Sequence, residues 1–117
     1  MSQHKRERLE SQIASIVNNT ILMTIENPIV KEGVVTYVKL SADLGVAKLY
    51  LDCLNRKKVE QVKAAFITAK GVFKTALSKR LNIRKVPELI FVVDEAIDEA
   101  IKIDAILNEI KAEKDKE

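Results

Sequence analysis

Apolar and polar residues follow two rhythms along this chain, and the switches between them mark its elements. From Leu9 through Ile13, Ile16, Val17 and Ile21 to Met23 and Ile25, apolar residues recur every three or four positions, the period of an amphipathic helix. Asn27-Pro28 predicts its end. After Gly33 the rhythm becomes alternation. Val34 to Leu40 and Val46 to Cys53 are rich in β-branched residues, and Ser41-Ala42-Asp43-Leu44-Gly45 joins them, which predicts a hairpin with one buried face. In the returning arm Ala47, Leu49, Leu51 and Cys53 take the apolar face, and Val46, Lys48, Tyr50 and Asp52 the other. The helical period resumes at Val59, Val62, Phe66 and Ala69 and continues through Val72, Phe73, Ala76 and Leu77. Gly71 interrupts this run. An interior glycine costs a helix about 1 kcal/mol relative to alanine and is a recognised cause of kinks. The pattern therefore predicts two helices meeting at a bend at Ala69-Lys70-Gly71. Pro87 stops the second helix, and Leu89 to Val93, apolar on both faces, predicts a well-covered third strand. Asp94, Glu95, Asp98 and Glu99 open a last helix, with Ile97, Ala100, Ile101, Leu107 and Ile110 on one side and Lys111 and Lys114 near its end. Acid first and base last suits the helix dipole, so this helix reads as plain structure.

The order is α-β-β-α-kink-α-β-α: an α+β domain whose three-stranded sheet is packed by helices on its buried face. A chain of 117 residues is one domain with a core of its own, here residues 1–112, followed by a flexible charged tail over 113–117. The longest apolar run, Leu89 to Val93, falls far short of the roughly 20 residues that cross a bilayer. The N-terminus leads into an amphipathic helix and not an apolar signal core, and one cysteine forms no internal disulfide. A cytoplasmic monomer with no membrane partner is expected.

Charge changes the picture more by its distribution than by its sum. Between residues 56 and 85, ten cations face the single acid Glu60, leaving +9, while the whole chain carries +3. From Val86 to Glu117, ten acids outnumber four lysines, leaving −6. A solvated helix face normally interleaves both signs, so the basic middle is a candidate for phosphate contact. On a straight helix Arg56, Lys63 and Lys70 fall within roughly a 40° sector. Lys74 continues that row if the bend allows, and Lys79, Arg80, Arg84 and Lys85 cluster around the end of the helix that follows it. Lys5, Arg6 and Arg8 oppose the dipole of the first helix, which leaves two readings: a cationic arm, or a frayed and solvated end.

The residues for catalysis are missing. The lone His4 sits at the chain's start, where nothing holds an imidazole against a nucleophile. His4 and Cys53 make at most two of the four ligands zinc needs, and Cys53 reads as a small core residue. The three glycines are isolated, so there is no phosphate loop. No enzyme, cofactor, metal or small-molecule substrate is expected. Aromatic residues are 4% of the chain, and Phe66, Phe73 and Phe91 fall at core positions. Base stacking is thus not the expected main source of affinity, with Tyr37 and Tyr50 as the two possible exceptions. Phosphate contact and RNA shape are better supported than sequence readout.

In these residues the chain resembles the bacterial ribosome-binding factor A proteins over nearly its whole length. The resemblance is carried by the basic first helix and by Val35-Thr36-x-Val38-x-Leu40-Ser41-x-Asp43-Leu44-x-x-Ala47-Lys48-x-Tyr50. It extends to Ala69-Lys70-Gly71 and Arg84-Lys85-Val86-Pro87-Glu88-Leu89-x-Phe91-x-x-Asp94. It implies a type II KH-like fold with Ala-x-Gly in place of the usual G-x-x-G loop. It further implies a factor that binds the small ribosomal subunit or its precursor and helps its rRNA mature, notably in the cold. Lys74 departs from the pattern by standing where an arginine is common, exchanging a planar fork for a point charge. The competing reading is a protein-interaction module whose basic face meets an acidic partner protein.

Overall fold

The computed structural model describes residues 3–81, 83 and 85–94, so the predicted C-terminal helix and charged tail lie outside the described residues. The first helix, α1, spans Gln3–Met23 and buries Ile13, Val17 and Ile21. Met23, expected on its apolar side, is instead exposed, because the helix ends there and Ile25 turns back into the core. Helix α1 ends at Met23, ahead of Asn27-Pro28, and that pair instead opens the next element. The Asn27 side chain accepts from the backbone N–H of Ile29 (2.9 Å) with proline at the first helical position, and this cap starts a one-turn helix, α2 (Pro28–Lys31).

Strands β1 (Gly33–Leu40) and β2 (Val46–Cys53) form the expected hairpin, and β3 (Glu88–Val93) adds to β2 in parallel, giving the order β1-β2-β3. Alternation fails in β1. Val35 pairs with Leu51 and Tyr37 with Tyr50, so Thr36 is an extra residue and Val35, Val38 and Leu40 all reach the core. The turn is built by Asp43, whose Oδ1 accepts from the Ser41 hydroxyl (2.7 Å) and the Gly45 N–H (2.9 Å). Those two donors hold its carboxyl below the usual carboxylate range. The left-handed residue of the turn is Leu44 (φ 61°), not Gly45.

A 3-10 turn at Arg56–Lys58 leads into α3 (Val59–Thr68), and α4 (Lys70–Arg80) follows. The break falls at Ala69 (φ −86°, ψ 4°), whose carbonyl accepts from Val72 N–H at 2.9 Å. Gly71 is an ordinary helical residue of α4 with no positive φ, so the bend does not come from glycine's backbone freedom. Packing holds it: Phe66 of α3 and Phe73 of α4 stack at 5.5 Å, and both close on Phe91 of β3, at 5.7 and 6.0 Å.

Helix α1 lies along β1, α3 lies on β2 and β3, and α4 packs against α1. The three helices and one sheet face enclose the core of Leu49, Leu51, Leu77, Leu89 and the phenylalanines. Among the described residues the other face of the sheet is open. Ile90, expected to be covered, is 42% exposed there, so β3 is buried on one side only. The open edge of β1 is protected by α1. Asn18 donates to Val35 O (2.9 Å) and accepts from Val35 N–H (2.8 Å), while Glu10 Oε2 accepts from Leu40 N–H (2.7 Å).

Candidate nucleic-acid interface

The cations of the middle segment do not form one row, because the elements that carry them are not one straight helix. Arg56 lies in the 3-10 turn, where its guanidinium pairs with Asp52 and donates to Asp94 O (3.2 Å). Lys63 stands alone on α3, half-buried, and Lys70 begins α4 beyond the break.

The local count of charges predicts that Lys70 and Lys74 are free of acid, and the fold pairs both. Lys70 Nζ donates to Glu88 Oε1 (3.3 Å) and Lys74 Nζ to Glu88 Oε2 (3.2 Å). Glu88 lies only three residues past the counted segment, and parallel pairing of β3 sets it at the sheet corner under both lysines. Its carboxyl is held below the usual range, by Lys74 first and Lys70 second. An exposed pair of this kind adds little stability, but it does neutralise part of the patch.

Lys79 and Arg80 are exposed in the last turn of α4, where positive charge suits the helix dipole. With its amide oxygen turned toward the guanidinium, Asn19 accepts from Arg80 Nη1 (2.7 Å) and Nη2 (3.0 Å). Both cations flank a cleft of about 350 Å³ between α1 and α4, lined also by Thr24, Val72 and Thr75. Lys85 is exposed in the following loop and shares a hollow of about 440 Å³ with Leu9 of α1 and the hairpin turn. Arg84 lies outside the described residues. Lys5, Arg6 and Arg8 occupy formed turns of α1, Lys5 and Arg8 exposed and Arg6 half-buried in a groove against β1. The loop after α4 thus comes to the basic end of α1. Arg8, Lys63, Lys79 and Lys85 make no ion pair among the described residues.

Gly71 sits on the surface between Lys70 and Lys74, and a Cβ built there meets nothing within 4 Å. Bare backbone is therefore displayed beside two lysines without any internal need for it. Cys53 is buried and its thiol donates to Asn55 O (3.0 Å); burial first, and then Asp52, push the thiol's pKa up, away from the thiolate that reactivity requires. Among the described residues no group of three His, Cys, Asp or Glu could hold a metal ion, and no helix is long and apolar enough to cross a membrane.

Charge counting along the helices missed Lys39 and Lys48, which pair across the hairpin on the open sheet face beside Tyr37 and Tyr50. Alternation already assigned Lys48 and Tyr50 to the polar face. The pairing with β1 depends on the register, which the bulge at Thr36 shifts.

The sequence model of the family Ribosome-binding factor A matches residues 5–107. Ribosome-binding factor A of Mycoplasma pneumoniae is 45% identical over 114 residues, 97% of this chain and 98% of that protein. Its counterpart in Mycoplasma genitalium is 43% identical over 111 residues, 95% of this chain and 99% of that one. The crystal structure of ribosome-binding factor A from Thermus thermophilus superposes with a TM-score of 0.68 at 26% identity, covering 75% of this chain and 93% of that one. A homology model of the T. thermophilus ribosome-binding factor A, fitted into a cryo-EM map of its complex with the 30S subunit, gives 0.62 at 25% identity, over 77% of this chain and 96% of that one.

Proposed function

The chain belongs to the ribosome-binding factor A family, and we propose that it binds the small (30S) ribosomal subunit or its precursor and assists the processing and maturation of the subunit's rRNA. The contact is with rRNA phosphates, made by Lys63 on α3, Lys79 and Arg80 on α4, Arg84 and Lys85 after it, and Lys5, Arg6 and Arg8 on α1. Lys70 and Lys74 join once phosphate competes with Glu88 for them. The reading is one of binding, not catalysis, by a monomeric domain in the cytoplasm. The observation that carries it is the family match, joined to the surface cations Arg8, Lys63, Lys79 and Lys85, which make no ion pair among the described residues. A homology model of the T. thermophilus relative, fitted into the cryo-EM map of its 30S complex, lends it support.

Charge reversal at Lys63, Lys79, Arg80 and Lys85 is expected to abolish co-sedimentation with free small subunits in a protein that still melts cooperatively, at a stability cost of about 0.3–1 kcal/mol for each charge reversed in the last turn of α4. The same reversal at Lys102, Lys111, Lys114 and Lys116, which alternate with acids in the sequence, changes net charge equally and should leave association intact. Equal losses in the two sets would mean that association follows total charge and not a located surface. Preferential binding to an acidic protein over small subunits would replace this reading with the protein-interaction one.

A further inference from the structure

The open face of the sheet carries a constellation that the helical cations do not explain. Because paired residues share a face, the register stacks two rows across the three strands: Lys39, Lys48 and Ile90, then Tyr37, Tyr50 and Val92. The tyrosine rings lie 5.2 Å apart at 41°, with Tyr37 50% exposed. A hollow of about 220 Å³ beside them is lined by Lys39, Ser41, Val46, Lys48 and Tyr50.

We propose that this face is a stacking platform for single-stranded RNA, with bases on Tyr37 and Tyr50 and phosphates on Lys39 and Lys48. Three features select that occupant. Two adjacent aromatic rings offer π-faces that any base can use. The acids around them among the described residues are already engaged: Glu88 by Lys70 and Lys74, Asp52 by Arg56, and Asp94 by the Thr36 hydroxyl (2.7 Å). Lys39 and Lys48 stand side by side and make no ion pair among the described residues. An acidic peptide would use the lysines but gains little from the ring pair. A duplex would present no free base to it. The platform also adjoins the Glu88 corner, so a strand crossing it continues toward Lys70 and Lys74. This inference rests on reading the chain as an rRNA-binding factor and adds a second, base-contacting surface to its phosphate-contacting one.

The test uses the whole protein and its own emission. Tyr37 and Tyr50 are the chain's two tyrosines and it has no tryptophan, so intrinsic fluorescence reports on this face alone. Titration with a short oligouridylate is expected to quench that emission saturably, while an oligoadenylate–oligouridylate duplex at equal phosphate concentration leaves it nearly unchanged. Tyr37→Leu and Tyr50→Leu should each weaken oligouridylate binding about fivefold or more, whereas Tyr50→Phe retains it. Lys39→Ala with Lys48→Ala should flatten the dependence of log K on log salt by about 1.4. Quenching by duplex or by polyglutamate as strong as by oligouridylate would overturn the platform, the latter in favour of an acidic protein. Emission that depends on protein concentration alone would overturn it in favour of a second copy of the chain. Thermal melts exclude misfolded variants, and Tyr37→Leu, at the more exposed position, serves if Tyr50→Leu unfolds. Small-subunit co-sedimentation keeps the two readings apart. Intact co-sedimentation with no oligouridylate binding sinks the platform alone, while loss of co-sedimentation in the wild type sinks the proposed function.

Discussion

Two of the chain's glycines should respond to alanine with opposite signs. Gly33 opens β1 directly under α3, and a Cβ built on it would lie 2.6 Å from Val62 Cγ1 and 2.7 Å from Phe66 Cε1. Neither neighbour can retreat freely, because both are fully buried and Phe66 is wedged between Phe73 and Phe91. Overpacking of a dense core costs about 1–3 kcal/mol, and two contacts under 3 Å call for the upper half of that range. The narrower unfolded ensemble of alanine returns about 0.4–1 kcal/mol. The net loss is then roughly 1–2.5 kcal/mol, and at about 3–6 °C per kcal/mol for a chain of this size the melting temperature should fall by roughly 3–15 °C. Gly71→Ala has the same effect on the unfolded chain but meets open space at a helical φ, so it should gain about 0.4–1 kcal/mol. Urea unfolding with unchanged m-values, beside thermal melts, measures both. A neutral or stabilising Gly33→Ala would refute the packing of β1 against α3, and a destabilising Gly71→Ala would refute the placement of Gly71 on the surface of α4.

Gly71→Leu should leave the fold intact yet weaken small-subunit binding, as seen by co-sedimentation, if bare backbone beside Lys70 and Lys74 is what the rRNA approaches; unchanged binding would remove Gly71 from the interface. Glu88→Gln releases both lysines and should strengthen subunit binding and steepen its salt dependence, which filter binding over a salt series would show. The carboxyl of Glu88 is depressed in the fold, so its contribution to stability is present above its unfolded pKa and lost as pH falls through the lower folded one. The glutamine variant should accordingly show a flatter acid limb in melting temperature against pH. Asn18→Ala leaves the Val35 N–H and C=O without their partner and should cost about 1–3 kcal/mol in urea unfolding. For wild-type protein, log K for subunits against log salt should slope at roughly −3.5 to −4.5 if about five phosphates are neutralised; a slope near zero would mean apolar docking.

Periodicity alone determined most of the fold, because burial has to repeat with the geometry of the element that carries it. The presence of α1, the hairpin with Ala47, Leu49, Leu51 and Cys53 inward, the break between α3 and α4, and the β3 run could all be read from spacing. So could the family, from the motifs between Val35 and Asp94. What spacing does not contain is which segments meet. The bulge at Thr36 exists because α1 holds Val35 at the edge through Asn18 while the hairpin turn fixes the register from the other end. The bend is held by three phenylalanines from three elements and not by the glycine beside it, which the one-dimensional pattern presents as the weak point. Glu88 shows the same limit for the interface. In sequence it belongs to the acidic third of the chain, yet parallel pairing of β3 with β2 sets it under Lys70 and Lys74, and two cations that look free in the sequence are paired in the fold. Tyr37 and Tyr50, thirteen residues apart, became a surface feature only when antiparallel pairing brought their rings to 5.2 Å. Local chemistry writes the elements; long-range pairing decides which charges cancel and which rings meet.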